Sequence, residues 1–444
     1  MIFLKTVTKN SWRWVLVVSK LLSSSWIERL KQCIRLYVGY SGGIDSTALL
    51  HALSQSPCLY SKLAAIHVNH GLSPKADAWE LLCAEVCKTL SIPFQSFKPD
   101  FPKHANIEEE ARKARHGVFL SLLDKDDGLI LAHHENDQAE TLLLNLFRGA
   151  GIDGLAAMPE EKSFGKAVLY RPLIDISRQV LEEYVALHEL EYVEDESNTD
   201  VRYSRNFIRQ DVMPLLTKRW PGVVSNLNRT TKLCQGVKLN NLELAKQDMG
   251  NQSLQDDKLA IEPLKGLPPE RISNILRVWL QFHGVRLPAF KRLQQLIDDV
   301  IFAGPDASPI MAWDGIDIRR YKDRLYLIEL KTSEPPHNVS WSTFPSSIHV
   351  DGVGLLTAVE AHQGCRILPH CKIDIRFREH GETIKWHGQT KSLKKCFQAW
   401  NFPPWQRDKI PLIYIDGKLA IVGEKAISDE FWDEKGGYQL SINP

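Results

Sequence analysis

Between Arg35 and about Asn145 the chain alternates short apolar runs with longer amphipathic segments. The runs, such as LYVGY and LAAIHVNH, are largely unbroken and do not alternate apolar with polar residues. Strands of this kind, each followed by a helix, indicate a parallel sheet that helices cover on both faces. The pattern therefore predicts a Rossmann-like α/β domain, in which ligands bind at the carboxyl ends of the strands. The predicted strands are 36–40, 63–70, 93–97 and 128–134.

The first strand is followed at once by a six-residue loop that leads into a helix. Its two adjacent glycines can adopt positive φ and let the backbone approach a ligand without a Cβ clash. Backbone N–H groups in such a loop, together with the start of a helix, form a site for phosphate oxygens. The GxxxxGK[ST] pattern of the Walker-type loop is absent. The loop consists of Ser41, Gly42, Gly43, Ile44, Asp45 and Ser46.

Positive charge is concentrated in one segment of a nearly neutral chain. The formal net charge is +1, but Arg205 to Lys246 contains eight Lys or Arg and only two Asp or Glu. Such an excess indicates either a phosphate-contacting surface or a solvated helix face. Near the C-terminus, KSLKK (391–395) lies close to Trp400 and Trp405. Cations beside aromatic rings are typical of RNA contact, although a packed aromatic core beside a solvated basic helix has the same pattern.

Cysteine usage and hydropathy indicate a cytoplasmic protein. The eight cysteines are scattered without a CxxC pair, which suits a reducing compartment better than a disulfide framework. Cys83 and Cys87 are spaced as on one helix face, and we interpret them as small buried hydrophobes. No run of 18 apolar residues occurs, so we expect no membrane-spanning segment. The N-terminal stretch has too short an apolar part for a signal peptide, and residues 1–34 are interpreted as an extension.

Further motifs follow the loop in a characteristic order. They are HVNHGL (67–72), EAR (110–112), HHENDQAET (133–141), RPL (171–173), EDESNTD (194–200) and RNFIR (205–209). SGGIDS after a strand resembles the PP-loop of the N-type ATP-pyrophosphatases. Together with this loop, the strings resemble the tRNA(Ile)-lysidine synthetase family over residues 35–212. The resemblance resumes at 376–382 and 391–414, which are similar to the C-terminal domain of the family.

The resemblance implies a two-step ligation that uses ATP and Mg²⁺. ATP adenylates the C2 oxygen of the wobble cytidine in the CAU anticodon of tRNA(Ile), and diphosphate leaves. The amine of free L-lysine then displaces AMP and leaves lysidine, which changes the codon and amino-acid specificity from Met to Ile. Positioning and neutralised phosphate charge supply much of such catalysis. A homodimer is compatible with the resemblance, and no membrane partner is implied.

The resemblance also implies roles for individual residues. The loop 41–46 holds ATP, and Arg112 and Asp137 act on the nucleotide. Mg²⁺ accompanies ATP, with Asp45 and Asp137 as its candidate ligands. The candidate lysine-binding residues are Asp137, Glu140, Asn198 and Arg205. The candidate tRNA contacts are Arg209, Arg229, Lys232, Lys391, Lys394 and Lys395.

Several of these residues have simpler interpretations. Asp137 and Glu140 lie one turn apart, and acids in a first turn complement a helix dipole without any ligand. Arg205 and Arg209 can equally form a surface ion pair. His133 and His134 look like a metal pair, but adjacent residues at a strand end point to opposite sides.

The chain departs from the family pattern within HHENDQ. Many members carry an aspartate where Asn136 stands, so metal binding here would depend on Asp137 and Asp45. One rival hypothesis is a non-catalytic tRNA-binding relative, for which Asn136 is the only support and against which the intact loop argues. A second rival is a PP-loop tRNA thiolase, which needs paired cysteines that this chain lacks.

The predicted organisation is an α/β catalytic domain followed by a helical domain and a small α+β C-terminal domain. At 444 residues the chain is too long for a single ordinary core. The predicted boundaries are 1–34 extension, 35–216 PP-loop catalytic domain, 217–249 basic helical linker, 250–332 helical substrate-binding domain, 333–349 linker and 350–444 tRNA-binding domain.

Overall fold

The computed structural model describes residues 21–102, 107–194, 200–304, 307, 309–329, 336–368 and 370–443. The chain divides into two compact units, Met1–Glu243 and Leu244–Pro444. This division falls inside the predicted linker 217–249, within a single 27-residue helix. Within the described ranges, no helix has the length and apolar character needed to cross a membrane.

A six-stranded sheet forms the centre of the first unit. Its strands are β1 Leu36–Gly39, β2 Leu63–Val68, β3 Phe94–Phe97, β4 Gly128–Ile130, β5 Glu161–Phe164 and β6 Ala167–Tyr170. Their order in the sheet is β3-β2-β1-β4-β6-β5, and every pairing is parallel except that of β5 with β6. The predicted Rossmann-like α/β fold is confirmed, and all four strands of the expected pattern are present.

Helices cover both faces of this sheet. Leu49 and Leu181 pack in the core on one face, while Phe119 packs in a separate core on the other. The helices are α1 Ser24–Leu30, α2 Ile44–Ser54, α3 Pro57–Tyr60, α4 Ala76–Thr89, α5 Ile107–Leu122, α6 Glu135–Phe147, α7 Ile152–Leu155, α8 Arg178–Leu187, α9 Ser204–Phe207, α10 Met213–Arg219 and α11 Val223–Met249, with a π-helical turn at Ile208–Val212.

Residues 21–34 belong to this core, although the sequence assigned them to an extension. The Ser23 hydroxyl accepts a hydrogen bond from the Trp26 N–H at 3.3 Å and caps α1. Leu21 and Leu30 are 4% and 0% exposed and pack in the core that also contains β1. Burial of a leucine side chain contributes roughly 1.5–3 kcal/mol. We therefore propose that the catalytic domain begins before α1 and not at Arg35.

The second unit consists of small antiparallel sheets and short helices. Its helices are α12 Glu262–Lys265, α13 Pro269–Phe282, α14 Phe290–Gln295, α15 Leu393–Ala399 and α16 Pro404–Arg407, with a π-helical turn at Leu296–Ile301. Its strands are β7 Lys258–Ala260, β8 Ile310–Trp313, β9 Ile316–Tyr321, β10 Arg324–Glu329, β11 Val339–Ser340, β12 Ile348–Val350, β13 Gly354–Ala361, β14 Gly364–Cys365, β15 Ile373–Arg376, β16 Thr383–Trp386, β17 Gln389–Ser392, β18 Leu412–Ile415, β19 Lys418–Val422, β20 Ala426–Ile427, β21 Trp432–Asp433 and β22 Gly437–Asn443.

The segment predicted as a helical domain, 250–332, is mixed in structure. Its predicted hairpin is present as β9 and β10, and β7 and β8 extend it to a four-stranded sheet. The strands after this segment form two five-stranded sheets, β11-β15-β18-β19-β20 and β12-β13-β22-β14-β21, and the separate pair β16-β17. A C-terminal domain of antiparallel sheets therefore follows the α/β domain.

Residues 336–349 form part of the C-terminal core, although they were expected to be a linker. β11 pairs with β15, and the Trp341 N–H donates to the Ile373 carbonyl oxygen at 2.8 Å. Trp341 is 2% exposed and packs with Ile375 and Leu356. The polar, Pro- and Ser-rich composition concealed the few apolar side chains that anchor this stretch.

Candidate functional site

The loop 41–46 follows β1 and leads directly into α2. Gly42 has φ +83°, whereas Gly43 is extended with φ −70° and is the N-cap of α2. Positive φ was expected for both glycines and occurs only at Gly42. No side chain caps the helix at Gly43, so the first N–H groups of α2 remain available to an anion. The Ser41 and Ser46 hydroxyl oxygens lie 3.1 Å apart beside them.

Packing from outside the loop holds Gly42 in place. Its carbonyl oxygen accepts hydrogen bonds from the Val193 N–H at 2.8 Å and from the Thr47 hydroxyl at 3.2 Å. A Cβ at Gly42 would lie 2.7 Å from the Cys83 Sγ and 3.2 Å from the Val193 Cγ2. A side chain would therefore fail at this position for lack of space as well as for its φ angle.

The carboxyl end of β4 brings acidic side chains to the same edge of the sheet, because β4 is the neighbour of β1. His134 is 1% exposed, and its Nε2 lies 3.6 Å from the Asp45 Oδ1 and 3.5 Å from the Asp137 Oδ2. Its Nδ1 accepts the Asn136 N–H at 3.2 Å, which leaves the ring proton on Nε2. His134 therefore bridges the loop 41–46, which we call the phosphate-type loop, and the acidic first turn of α6.

Asp137 and Glu140 form a dense charge network with two arginines. Arg205 donates to the Glu140 Oε2 at 2.9 Å and to the Asp137 Oδ1 at 2.8 Å. Arg209 donates to both Glu140 oxygens at 2.7 and 2.9 Å and to the Asp137 Oδ1 at 3.0 Å. Asp137 and Glu140 are 8% and 2% exposed, so this is more than a surface ion pair.

The network also shifts the pKa values of Asp137 and Arg209. Burial would raise the pKa of Asp137, but His134, Arg205 and Arg209 outweigh it and lower that pKa to about 2. Burial would lower the pKa of Arg209, but its pairing with Glu140 raises it instead. Asp137 is consequently a carboxylate at every physiological pH, as a receptor for a cation must be.

Arg209 was predicted to contact tRNA, but in the structure it binds Asp137 and Glu140, which together line what we call the acidic pocket. Ala139 and Leu143 of α6 pack against Ile208 and Met213, which turns Arg209 toward the acids. The spacing of the charges could have revealed the pairing. Two arginines four residues apart match two acids three residues apart when both pairs lie on facing helical surfaces.

A group of histidines near this edge is held neutral. Burial lowers the pKa of His70 and of His116 to about 4 and that of His133 to about 3. Arginines add to the effect, Arg115 acting on all three rings. The same edge therefore carries positive charge on its arginines and uncharged imidazoles among them.

Because these histidines stay neutral in the folded state, we expect the free energy of unfolding to depend on pH. In unfolded chains the imidazoles take up protons below pH 6.5, whereas the folded state resists protonation until about pH 4 or 3. The unfolded state then binds more protons, so the free energy of unfolding should fall between pH 6.5 and 4.5. His134, whose pKa is raised by Asp45 against the effect of burial, opposes this only in part. Urea denaturation followed by tryptophan fluorescence measures the change, and His70→Gln with His116→Gln should reduce it. A midpoint that is constant over this range contradicts the prediction.

Cysteine chemistry has no place at this edge. All eight cysteines are free, and Cys83 and Cys87 are fully buried. Burial raises the pKa of both thiols to about 12, so neither is a thiolate at neutral pH. The interpretation of the pair as small buried hydrophobes is consistent with this burial, and Cys83 acts as packing beneath the loop.

Several predicted tRNA contacts lie on exposed surfaces. Arg229 and Lys232 are exposed on α11, where Lys232 pairs with Asp175 at 2.6 Å. In the second unit Lys394 and Lys395 are exposed on α15, whereas the Lys391 Nζ lies 5.0 Å from the Trp386 ring centroid. Trp400 packs in the core with Phe397, and Trp405 packs against Tyr321 and Tyr326. Both rings are half-buried and pack against other aromatic side chains, beside a helix with exposed lysines.

Two other predicted site residues are less informative. Arg112 is exposed on α5, and its charge helps to lower the pKa of His116 and of Arg171, so it faces the same edge. Asn198 lies outside the described residues. Within the described part of the chain, no cluster of three or more His, Cys, Asp or Glu could hold a metal ion by itself.

Three domain families match the chain in succession. A PP-loop domain matches residues 18–216, a TilS substrate binding domain matches 259–326, and a TilS substrate C-terminal domain matches 373–443. The first match begins before α1, in agreement with the packing of residues 21–34.

Curated relatives are similar over nearly the whole length. A tRNA(Ile)-lysidine synthase of Legionella pneumophila (strain Lens) is 47% identical over 413 residues, which are 93% of this chain and 96% of that protein. A protein of the same name from Coxiella burnetii is 41% identical over 423 residues, or 92% and 93% of the two chains. One from Serratia proteamaculans is 38% identical over 407 residues, or 90% and 92%. With the loop, the acidic pocket and all three domains in place, the chain belongs to the tRNA(Ile)-lysidine synthase family.

Proposed function

We propose that this enzyme ligates free L-lysine to C2 of the wobble cytidine in the CAU anticodon of tRNA(Ile). In the first step the cytidine O2 attacks the α-phosphorus of ATP, and diphosphate leaves. In the second the lysine ε-amine attacks C2, the C2–O bond breaks, and the oxygen leaves with AMP. The observation that carries the proposal is the bridge through His134, which places the phosphate-type loop within one side chain of a buried acidic pocket.

The loop supplies donors for the β- and γ-phosphates. Gly42 and Gly43 leave the backbone open to close approach, and the uncapped start of α2 adds N–H groups and a favourable dipole. The Ser41 hydroxyl adds a further donor, and the Ser46 hydroxyl, which donates to the Gly43 carbonyl oxygen at 3.0 Å, would turn toward the phosphates when they bind. Held at this end, the nucleotide presents its α-phosphorus for attack and its diphosphate as the leaving group.

The donors fit a magnesium ion that binds together with the nucleotide. The Asp45 Oδ1 is buried without a hydrogen-bond partner in the described structure, and Asp137 is a second carboxylate near it across His134. Mg²⁺ is commonly held by one or two carboxylates together with substrate phosphates and water. Asp45 and Asp137 would hold it, and it would neutralise phosphate charge as the diphosphate departs.

The acidic pocket suits the zwitterionic part of lysine. The attacking ε-amine must be neutral, so carboxylates are better placed on the ammonium group that does not react. We therefore assign Asp137 and Glu140 to the α-ammonium and Arg205 to the α-carboxylate. Because the arginines already bond to both acids, lysine would enter by replacing one guanidinium. Asn198 is proposed as a further member of this pocket.

We propose that the tRNA contacts exposed cations in each of the two units. The exposed cations Arg229, Lys394 and Lys395 are proposed phosphate contacts, and the two TilS-type domain matches lie in the second unit. Such contacts fix the position of an RNA without reading its sequence. We place the reaction in the cytoplasm, together with its tRNA and lysine.

Mass spectrometry of nucleosides tests the reaction directly. A tRNA(Ile) transcript with a CAU anticodon is incubated with the full chain, ATP, Mg²⁺ and isotope-labelled lysine, then digested to nucleosides. We expect one cytidine per tRNA to gain the mass of lysine minus water, with the label. A transcript carrying U at the wobble position is the matched control and should remain unmodified. Incorporation of sulfur, or no change in the CAU transcript, contradicts the proposal.

A further inference from the structure

His133 and Arg171 form a partly buried pair that the proposed function does not yet use. Arg171 is 7% exposed, and its Nε–H donates to the His133 Nδ1 at 3.2 Å. Its Nη1 donates to the Pro159 carbonyl oxygen at 2.7 Å, which fixes the plane of the guanidinium. An arginine can only donate, so Nδ1 of His133 must accept. The ring proton is therefore on Nε2.

This arrangement makes His133 a neutral hydrogen-bond donor. Protonation of Nδ1 would remove the acceptor and set two cations against each other, and burial already lowers the pKa of His133 to about 3. No hydrogen bond among the described residues uses its Nε2. A neutral imidazole whose tautomer is fixed can donate a hydrogen bond to a substrate oxygen. It thereby polarises that oxygen without transferring a proton to it.

The position of the pair favours a phosphoryl oxygen as the acceptor. His133 follows β4, the neighbour of β1, and its sequence neighbour His134 contacts Asp45 of the phosphate-type loop. Arg171 lies near Arg112, whose charge helps burial to lower the Arg171 pKa to about 10. Two arginine side chains near one another concentrate positive charge, which favours an anion beside them.

We propose that His133 donates a hydrogen bond from Nε2 to the reacting α-phosphoryl group, and that Arg171 is the positioning residue that fixes this tautomer. The inference rests on the proposed function, since it names a role within the same adenylation. His133 would touch the nucleotide and Arg171 would act only through His133. A donor aimed at charge that develops in the transition state affects kcat more than KM.

Two substitutions of His133 separate the role of its Nδ1 from the role of its Nε2. In His133→Asn the amide oxygen stands near the former Nδ1 and keeps the bond from Arg171, but the distal donor is lost. In His133→Gln the amide nitrogen reaches the former Nε2 and keeps the donor, but the bond from Arg171 is lost. We expect His133→Asn to be as stable as wild type with kcat about 100-fold lower. We expect His133→Gln to melt at a lower temperature and yet to keep kcat within about tenfold.

The same experiment includes Arg171→Met, measured alone and combined with His133→Asn. Alone it should lower kcat, because the tautomer is no longer fixed, and the double variant should be no slower than His133→Asn. Single-turnover AMP formation is measured at saturating ATP, lysine and tRNA, with melting temperatures as the control for folding. The inference is overturned if His133→Asn keeps kcat within twofold, if His133→Gln is the slower of the two, or if only the KM for tRNA changes. Wild-type enzyme that forms no AMP would instead overturn the proposed function.

Discussion

Asp137→Asn should reduce AMP formation by about 100-fold or more, the largest loss expected from any single isosteric change in this chain. The Asp137 carboxylate accepts hydrogen bonds from Arg205 and Arg209 and from the backbone N–H of His134, the last at 3.1 Å. Asp137 is 8% exposed. The loss of one preorganised electrostatic contact in an active site typically costs a factor of about 100 or more in kcat. The loss should appear in single-turnover AMP formation and persist at saturating lysine.

Asn136→Asp is the matched control for this substitution, since it adds the acid that many family members carry next to Asp137. The Asn136 Oδ1 accepts the Arg178 N–H at 3.2 Å, and a carboxylate oxygen can accept the same bond. We expect this variant to form AMP at or above the wild-type rate. Full activity in Asp137→Asn, or loss in both variants, would remove Asp137 from the site.

Gly42→Ala should weaken nucleotide binding and destabilise the first unit. Alanine at φ +83° costs about 1–2 kcal/mol in backbone strain. The new Cβ would also lie 2.7 Å from the buried Cys83 Sγ, so that the loop or α4 must shift. We expect the KM for ATP to rise by at least about tenfold and the melting temperature to fall by about 4 °C or more.

Gly43→Ala separates the role of the loop in folding from its role in binding. At φ −70° the substitution is unstrained, and the nearest atom to its Cβ, the Ser41 Oγ, is 3.6 Å away. Stability should therefore be within about 0.5 kcal/mol of wild type. ATP affinity should still fall, because a Cβ now stands where the backbone must approach the phosphates. Wild-type ATP affinity in Gly43→Ala would mean that the phosphates bind elsewhere.

Local sequence patterns were sufficient to predict the elements that surround the loop 41–46. The continuous apolar runs identified β1 to β4, and the two glycines before a helix identified the phosphate-type site, because strand burial and chain turning leave short-range signals. The family resemblance implied the roles of Asp137 and Glu140, and their spacing of one helical turn placed them on one face of a helix. Each of these inferences depends on residues within one element and its adjoining turn.

The pairings between elements could not be predicted in this way. Arg209 and Glu140 are 69 residues apart, and the Arg171–His133 bond spans 38 residues. Only the packing of α6 against the turn at 208–212 and of β6 beside β4 brings these side chains together. Similarly, rings such as those of Trp400 and Trp405 close to lysines are expected both in a packed core and on an RNA-binding surface, so composition alone does not distinguish the two. Residues 21–34 were misjudged because a seven-residue helix has little periodicity of its own.

The central claim is that the glycine loop after β1 retains the β- and γ-phosphates and thereby exposes the α-phosphorus to an RNA oxygen. Chromatography of the nucleotide products from [α-³²P]ATP, with and without CAU-anticodon tRNA and lysine, measures this most directly. With tRNA alone we predict that the label moves from ATP to adenylated tRNA. With tRNA and lysine together we predict free AMP as the labelled product, formed over many turnovers. ADP and inorganic phosphate as the products, or AMP formed equally well without tRNA, would contradict it.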